Sequence, residues 1–385
     1  MRIALAGVGR MGSAIAERLR AAGHRLSLYD PVLEPGEEVA ESLAAAARRA
    51  EMVLLSLPDA AAVESSLPAL RETRPPLVVD LTSSLPETTR RMAAELAPLG
   101  TAFIDCPLSG GVAGARAGTL TAMVGGDPEL LERARPVLAA FATTIRWAGP
   151  LGAGHATKAL NNALSAVSLT GTAELLVTAA AYGVDEEEAV RAVNRGPARS
   201  QNSEVKYPRD VLPRSYAAGF SAGLMEKDVS AALAIAASHA VPAPFLSGVL
   251  ETWREATRRM GPEADFTRVH AVIAAGSRGR PDSPTGFSLD VLCRALSSLN
   301  LIAVREAMEI ADAEGLERPR LLEIVNASTG RSEATRSAGG GEVDRAALAR
   351  ARELAARAGV WAPLIELGAG LEAESDGVGQ EGPRG

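Results

Sequence analysis

The chain has 385 residues, 47% of them hydrophobic and only 3% aromatic, with a formal charge of -7, a size that suits two to three domains. The acidic balance and the absence of a basic block argue against nucleic acid and membrane surfaces as partners. Two cysteines, Cys106 and Cys293, without a CxxC spacing, exclude a disulfide framework and a zinc site, and no metal is expected. The apolar opening MRIALAGVGR is too short for a signal segment, and no run approaches a membrane span, so a cytoplasmic protein is expected.

The first 150 residues read as a dinucleotide domain. RIALAG is a short strand, GVGRMG follows from Gly7 to Gly12, and SAIAERLRAAG then has helical spacing. A lone GxGxxG is weak, but strand, glycine turn and helix in this order give it physical meaning. Gly7 permits the tight turn and Gly9 lets backbone approach a diphosphate. Gly12 lets the helix pack on the strand, so that Val8, Arg10 and Met11 complete a loop facing the cofactor. A second strand, Arg25–Tyr29, ends at Asp30, where a carboxylate would accept hydrogen bonds from the adenosine ribose and repel a 2′-phosphate. NAD is therefore expected over NADP.

The alternation continues with a helix near 38–49, a strand from Met52 to Leu57, a helix near 60–72 and a strand from Leu77 to Asp80. This is the repeated βα pattern of a doubly wound parallel sheet, in which loops at the carboxyl ends of strands line the crevice. Leu57, Pro58 and Ser83, in the loops Leu57-Pro58 and Thr82-Ser83-Ser84, are thus candidate cofactor contacts. Ser84 can alternatively cap a helix beginning at Pro86.

The stretch DCPLSGGVAGARAGTLTAMVGG, Asp105 to Gly126, is glycine-rich and lacks helix or strand periodicity over most of its length. It resembles the substrate-binding signature of the β-hydroxyacid dehydrogenases, the family that includes the 3-hydroxyisobutyrate dehydrogenases. Cys106 and Leu108 depart from the family pattern, in which those positions are small or apolar. GVGRMG also fits that family, as does GAGHATKALNN from Gly152 to Asn162; the likeness thins out to about residue 275, at GLMEKDVSAAL. The resemblance implies a Rossmann-type α/β domain followed by an all-α domain, and an NAD-dependent oxidoreductase that interconverts a small β-hydroxyacid and its semialdehyde or keto form. It implies that Ser109, Gly110 and Gly111 hold the substrate carboxylate and that Lys227 approaches the nicotinamide end of the cofactor.

Chemistry agrees with that likeness. Lys158 and Asn162 stand at i and i+4 and face the same way from a helix. A lysine amine can exchange the proton at the substrate oxygen as hydride moves, and burial would lower its pKa toward working pH. Asn162 can hold the same oxygen in register. His155 reads as a helix-entry residue. MEKD reads as the approach to a helix, with Lys227 near its start, where the helix dipole disfavours a cation, and Asp228 as a candidate cap.

Beyond the linker-like 276–286, residues 295–332 lie over 163–200 at a constant shift of 132, with Ala163/Ala295, Leu169/Leu301, Glu174/Glu306, Asn194/Asn326 and Ser200/Ser332 identical. ALAIAASHAVPAPF (232–245) also resembles ARELAARAGVWAPL (351–364). The region 287–370 thus reads as a degenerate second copy of the helical domain 151–275. Asp290 and Arg294 stand where Lys158 and Asn162 would be, which makes the copy structural. Either the helical domains of two chains pair in a homodimer, or the second copy covers that surface within one chain. The tail 371–385 is expected to stay disordered. Two other readings remain. One is a 6-phosphogluconate dehydrogenase-like oxidative decarboxylase, whose relatives share the duplication but carry His where Asn161 stands. The other is a non-catalytic dinucleotide-binding protein. An imine reductase is disfavoured because Lys158 is present.

Overall fold

A computed structural model describes residues 1–277, 279, 281 and 285–378. It forms two compact units, Met1–Ala159 with Glu314–Ile324, and Leu160–Ala313 with Val325–Gly385.

The first unit is built on an eight-stranded sheet: β1 (Arg2–Ala6), β2 (Arg25–Tyr29), β3 (Met52–Leu55), β4 (Leu77–Asp80), β5 (Ala102–Asp105), β6 (Leu108–Ser109), β7 (Leu120–Gly125) and β8 (Ala142–Gly149). The order is β2-β1-β3-β4-β5-β7-β6, with β8 paired to β7. β2, β1, β3, β4 and β5 are mutually parallel, while β7 runs antiparallel to β5 and β6. Alternation along β1 explains the helices on both faces. Ile3 and Leu5 enter one core with Ile15, Leu19, Leu54 and Val79. Ala4 and Ala6 enter the other with Val53, Leu55, Val63 and Leu70. Chain order reverses at β1, which has β2 on one side and β3 on the other, and the loops that follow β1 and β3 meet at this switch point.

Several local expectations change. The helix near 38–49 shortens to Leu43–Ala47, capped by Ser42, because Glu38–Ala40 pairs with Leu28 as a bridge instead. The helix near 60–72 divides into Ala60–Ser65 and Leu67–Thr73, the second with Pro68 in its first turn. Met52–Leu57 is strand only to Leu55. Ser84 does not cap the helix Pro86–Leu96: Leu85 holds the cap position without a side-chain bond, and Ser84 Oγ is buried without a partner. The glycine-rich stretch folds as β6, a helix over Gly111–Ala117, and β7. Positive φ at Gly110 (125°) and Gly118 (72°) opens and closes that helix, which hides its periodicity in the sequence.

The second unit is helical, and the sequence likeness sets its helices against one another in two groups. Ala153–Ala181, which begins in the first unit, and Glu186–Arg195 correspond to Leu289–Ala313 and Arg318–Asn326. Ala222–Ser238 and Pro244–Met260 correspond to Arg345–Arg357 and Pro363–Val378. Bonds between the two sets are reciprocal. Gln201 N–H donates to the Arg331 carbonyl (2.9 Å) and Glu333 N–H to the Arg199 carbonyl (3.0 Å), around an antiparallel bridge of Ser200 with Ser332. Glu174 accepts from the N–H groups of Leu364 (2.8 Å) and Ile365 (2.9 Å). Its counterpart Glu306 accepts from those of Phe245 (2.7 Å) and Leu246 (2.8 Å). A glutamate of each set thus accepts from the first N–H groups of a helix of the other, Pro363–Val378 and Pro244–Met260.

The helix Ala153–Ala181 is long and apolar enough to cross a membrane, contrary to the expectation that no segment would be, but it is buried inside the protein. The last helix runs to Val378 and takes in the start of the stretch expected as a tail; 379–385 lie outside the described residues, as do 278, 280 and 282–284 of the expected linker.

Candidate active site

The glycine loop after β1 is shaped partly by the protein and partly for something else. Gly7 has φ +87°, and a Cβ on it would stand 2.1 Å from the Ser56 carbonyl oxygen. A Cβ on Gly12 would stand 1.9 Å from the Gly7 carbonyl oxygen. Packing therefore requires both glycines. Gly9, the N-terminal cap of the helix Arg10–Ala21, has no side-chain cap bond, and a Cβ there would meet nothing within 4 Å. Open space before a helix N-terminus suits a diphosphate, so the loop Gly7-Val8-Gly9-Arg10-Met11-Gly12 fits the expected cofactor. Asp30, just past β2, orders the same loop: its Oδ2 accepts from Val8 N–H (2.7 Å) and its Oδ1 from Val32 N–H (3.1 Å). Leu57, Pro58 and Ser83 follow the carboxyl ends of β3 and β4, on the same edge of the sheet, and the Thr82 hydroxyl accepts from Leu57 N–H (3.1 Å). Among the described residues no cluster of His, Cys, Asp or Glu could hold a metal.

Ser109 closes β6, is 8% exposed, and leads into Gly110 and Gly111, whose φ values of 125° and 66° are in glycine's range. Gly110 leaves room only for Leu120, whose side chain would lie 3.0 Å from an added Cβ.

The helix Ala153–Ala181 carries Lys158 (6% exposed) and Asn162 (3%) one turn apart. Its entrance is fixed by Asp105, which ends β5 with no exposure. Asp105 Oδ1 accepts from Gly152 N–H and Oδ2 from His155 N–H, both at 2.8 Å. A buried carboxylate on the first N–H groups of a helix satisfies donors that lack a partner within it and opposes the helix dipole. The fit leaves no room: a Cβ on Gly125 would lie 2.4 Å from Asp105 Oδ1, and one on Gly154 2.3 Å from the Met123 carbonyl oxygen. Thus one carboxylate ties two of the sequence motifs together, Asp105–Gly126 and Gly152–Asn162. His155 is the helix-entry residue expected. Its Nε2–H donates to the Thr82 carbonyl (2.8 Å), and its Nδ1 lies 2.7 Å from the Thr89 hydroxyl. Asp80 Oδ2 stands 3.9 Å from Nε2, and burial pushes the Asp80 carboxyl above its ordinary range, opposed by His155. Burial, with Asp105 and Asp80 alongside, also pushes the Cys106 thiol well up, which suits an inert core residue.

The MEKD segment differs from its expectation. The helix begins earlier, at Ala222, and Ser221 caps it by accepting from Leu224 N–H. Lys227 and Asp228 therefore lie in its second turn, past the reach of the N-terminal dipole, and Asp228 is not a cap. Asp228 is buried, and its Oδ2 accepts a hydrogen bond from Asn162 Nδ2. At the positions that the sequence shift of 132 sets against Lys158 and Asn162, Arg294 pairs with Asp290 (3.0 Å) and also with Asp344 (2.6 Å), an exposed ion-pair cluster.

Sequence reasoning left Asp105 and Asn161 without a role. A signal for Asp105 existed in the acid at the end of a strand together with glycines at 125 and 154. Asn161, fully buried beside Asn162, had none.

Residues 2–149 match the model described as the NAD binding domain of 6-phosphogluconate dehydrogenase. Residues 152–273 match that described as NAD-binding of NADP-dependent 3-hydroxyisobutyrate dehydrogenase. The chain is 35% identical over 290 residues to an NAD-dependent L-serine dehydrogenase of Pseudomonas aeruginosa, covering 71% of this chain and 97% of the relative. A solved Mycobacterium tuberculosis 3-hydroxyisobutyrate dehydrogenase with L-serine superposes with a TM-score of 0.66 at 31% identity, over 70% of this chain and 98% of that one. The 6-phosphogluconate dehydrogenase of Plasmodium falciparum covers all of this chain and 94% of its own, with a TM-score of 0.70 at 14% identity, a likeness of fold alone. With the cofactor loop, the paired Lys158 and Asn162 and these relatives in agreement, the chain belongs to the β-hydroxyacid dehydrogenase family, the NAD-dependent oxidoreductases of hydroxyacids.

Proposed function

We propose that the protein interconverts a small 3-hydroxycarboxylate and its semialdehyde, with Lys158 exchanging the proton at the substrate oxygen. The observation that carries this reading is the buried helix on which Lys158 and Asn162 stand one turn apart, its first N–H groups held by Asp105. When bound, NAD supplies the hydride acceptor. The Lys158 amine takes the hydroxyl proton as the carbon is oxidised and returns it in the reverse direction. Asn162 orients the oxygen. The Ser109 hydroxyl and the N–H groups of Gly110 and Gly111 are assigned to the substrate carboxylate. Gly7 to Gly12 are assigned to the diphosphate, Asp30 to the adenosine ribose, and Leu57, Pro58 and Ser83 to the cofactor's flank. Lys227 goes to the nicotinamide end on the family resemblance.

The substrate class rests on what the relatives' names share. L-serine and 3-hydroxyisobutyrate both carry a hydroxyl on the carbon β to a carboxylate. We infer further that the second helical repeat takes the place of a partner's helical domain, which the reciprocal Glu174 and Glu306 caps support. A tight dimer through the first repeat's helices in sedimentation would overturn that inference. A cytoplasmic location accords with two free, buried cysteines.

The test is absorbance at the NADH band with NAD or NADP and a panel of L-serine, 3-hydroxyisobutyrate, glycerate, 3-hydroxypropionate and 6-phosphogluconate. Turnover of a 3-hydroxyacid, falling about 10²- to 10⁴-fold in Lys158→Ala, is expected. Turnover unchanged in that variant removes Lys158 from its role, and release of CO2 from 6-phosphogluconate replaces the substrate class.

A further inference from the structure

The Asn162 carboxamide is fixed at both ends. Its Oδ1 accepts from Asn161 Nδ2 (3.0 Å), and its Nδ2 donates to Asp228 Oδ2. An amide donor on one side and a carboxylate acceptor on the other leave one orientation in which oxygen and nitrogen both find the right partner. Asn161 is itself held by the second repeat. Its Nδ2 also donates to Thr329 Oγ1 (2.9 Å), and its Oδ1 accepts from Gly330 N–H (2.9 Å). Asn161 is fully buried, and Gly330 has no room for a side chain: a Cβ there would lie 2.6 Å from the Asn161 carbonyl oxygen and 2.9 Å from its Oδ1.

We propose that Asn161 is a positioning residue, and that the Thr329-Gly330 turn of the second repeat acts through it to orient the Asn162 carboxamide. The inference rests on the reading of Asn162 as a substrate-orienting residue. The Gly330 N–H specifies an oxygen on its side of the Asn161 amide, and the Thr329 hydroxyl accepts from the nitrogen. Together they direct the second hydrogen of Nδ2 toward Asn162. If the Asn161 amide turned over, an oxygen would face the Asn162 oxygen, and Asn162 would have to rotate away from Asp228 or lose a buried bond. The second repeat, which has lost its own acid–base pair, thereby keeps a part in the site of the first. The matching loop of the first repeat carries Pro197-Ala198 at these positions, where proline lacks the hydroxyl that Thr329 offers and alanine carries the Cβ that Gly330 lacks.

The experiment compares full-length Thr329→Val, Thr329→Ser, Gly330→Ala, Asn161→Ala and Asn162→Ala with the wild type. The rate is read at the NADH band with NAD and L-serine or 3-hydroxyisobutyrate, whichever the wild type turns over faster, and NADH affinity is measured by fluorescence. Thr329→Val is nearly isosteric and is expected to lose about tenfold or more in kcat, the worth of one buried bond. It should bind NADH as before, and Thr329→Ser should recover most of the loss. Gly330→Ala and Asn161→Ala should lose more. A kcat within twofold of wild type in both Thr329→Val and Asn161→Ala, while Asn162→Ala loses a hundredfold, overturns the inference and leaves the role of Asn162 standing. An Asn162→Ala variant as active as wild type overturns both. A Thr329→Ser variant as slow as Thr329→Val also counts against it, because the hydroxyl would then not be the group that acts.

Discussion

Replacing Glu174 with Gln tests the clamp between the helices Ala153–Ala181 and Pro363–Val378. The Glu174 side chain is fully buried, and both its oxygens accept backbone N–H groups at the start of the last helix, from Leu364 at 2.8 Å and Ile365 at 2.9 Å. Burial pushes its pKa up to about 8 from 4.5, against the pull of those two bonds. The folded state therefore holds a proton that the unfolded chain releases between these values. Stability from this group is fully present below pH 4.5 and is lost as pH rises toward 8, by roughly 5 kcal/mol at most across the window. Gln keeps one acceptor and places an NH2 group where the second N–H points, at a cost of about 1–3 kcal/mol for a buried unpaired donor. Urea unfolding of wild type and Glu174→Gln at pH 5, 7 and 9 would measure both effects. The variant should be less stable at pH 5, and the gap should narrow or reverse by pH 9, because only the wild type loses its proton. A gap that stays constant across this range would refute the reasoning, since Glu174 would then be ionised throughout.

Asp105→Asn should unfold at lower urea, by about 2–4 kcal/mol, because Gly152 N–H and His155 N–H both point at carboxylate oxygens in a buried site; a loss under 1 kcal/mol would show the helix entrance to be held otherwise. Gly9→Ala should unfold within about 1 kcal/mol of wild type and yet bind NADH at least tenfold more weakly, since its Cβ meets nothing in the protein. Gly12→Ala should lose stability outright, as its Cβ would lie 1.9 Å from a carbonyl oxygen; equal effects of the two substitutions would contradict this division. Asp30→Asn removes the charge that repels a 2′-phosphate, so the ratio of kcat/KM with NAD to that with NADP should fall about tenfold, or ~1.4 kcal/mol. An unchanged ratio would place cofactor choice elsewhere.

The first four strands, the glycine loop and the positions of Lys158 and Asn162 were legible in the sequence because each rests on local periods: apolar runs for buried parallel strands, and a spacing of four for one helix face. The likeness of 163–200 to 295–332 was visible for the same reason, as similarity of sequence needs no contact map. Boundaries set by long-range bonds were not. The helix near 38–49 gave way to a bridge with Leu28, the start of the Ala222–Ser238 helix moved ahead of Lys227 and Asp228, and glycine conformations hid a strand–helix–strand in the stretch after Asp105. Tertiary structure alone decided what the polar residues in that frame do. Asp105 closes a helix entrance 47 residues away, Asp228 turns from a cap into the partner of Asn162, and Asn161 meets Thr329 and Gly330 across 168 and 169 positions. A carboxylate or carboxamide takes its function from whichever donors burial leaves beside it, and a sequence read along its length does not show which those are.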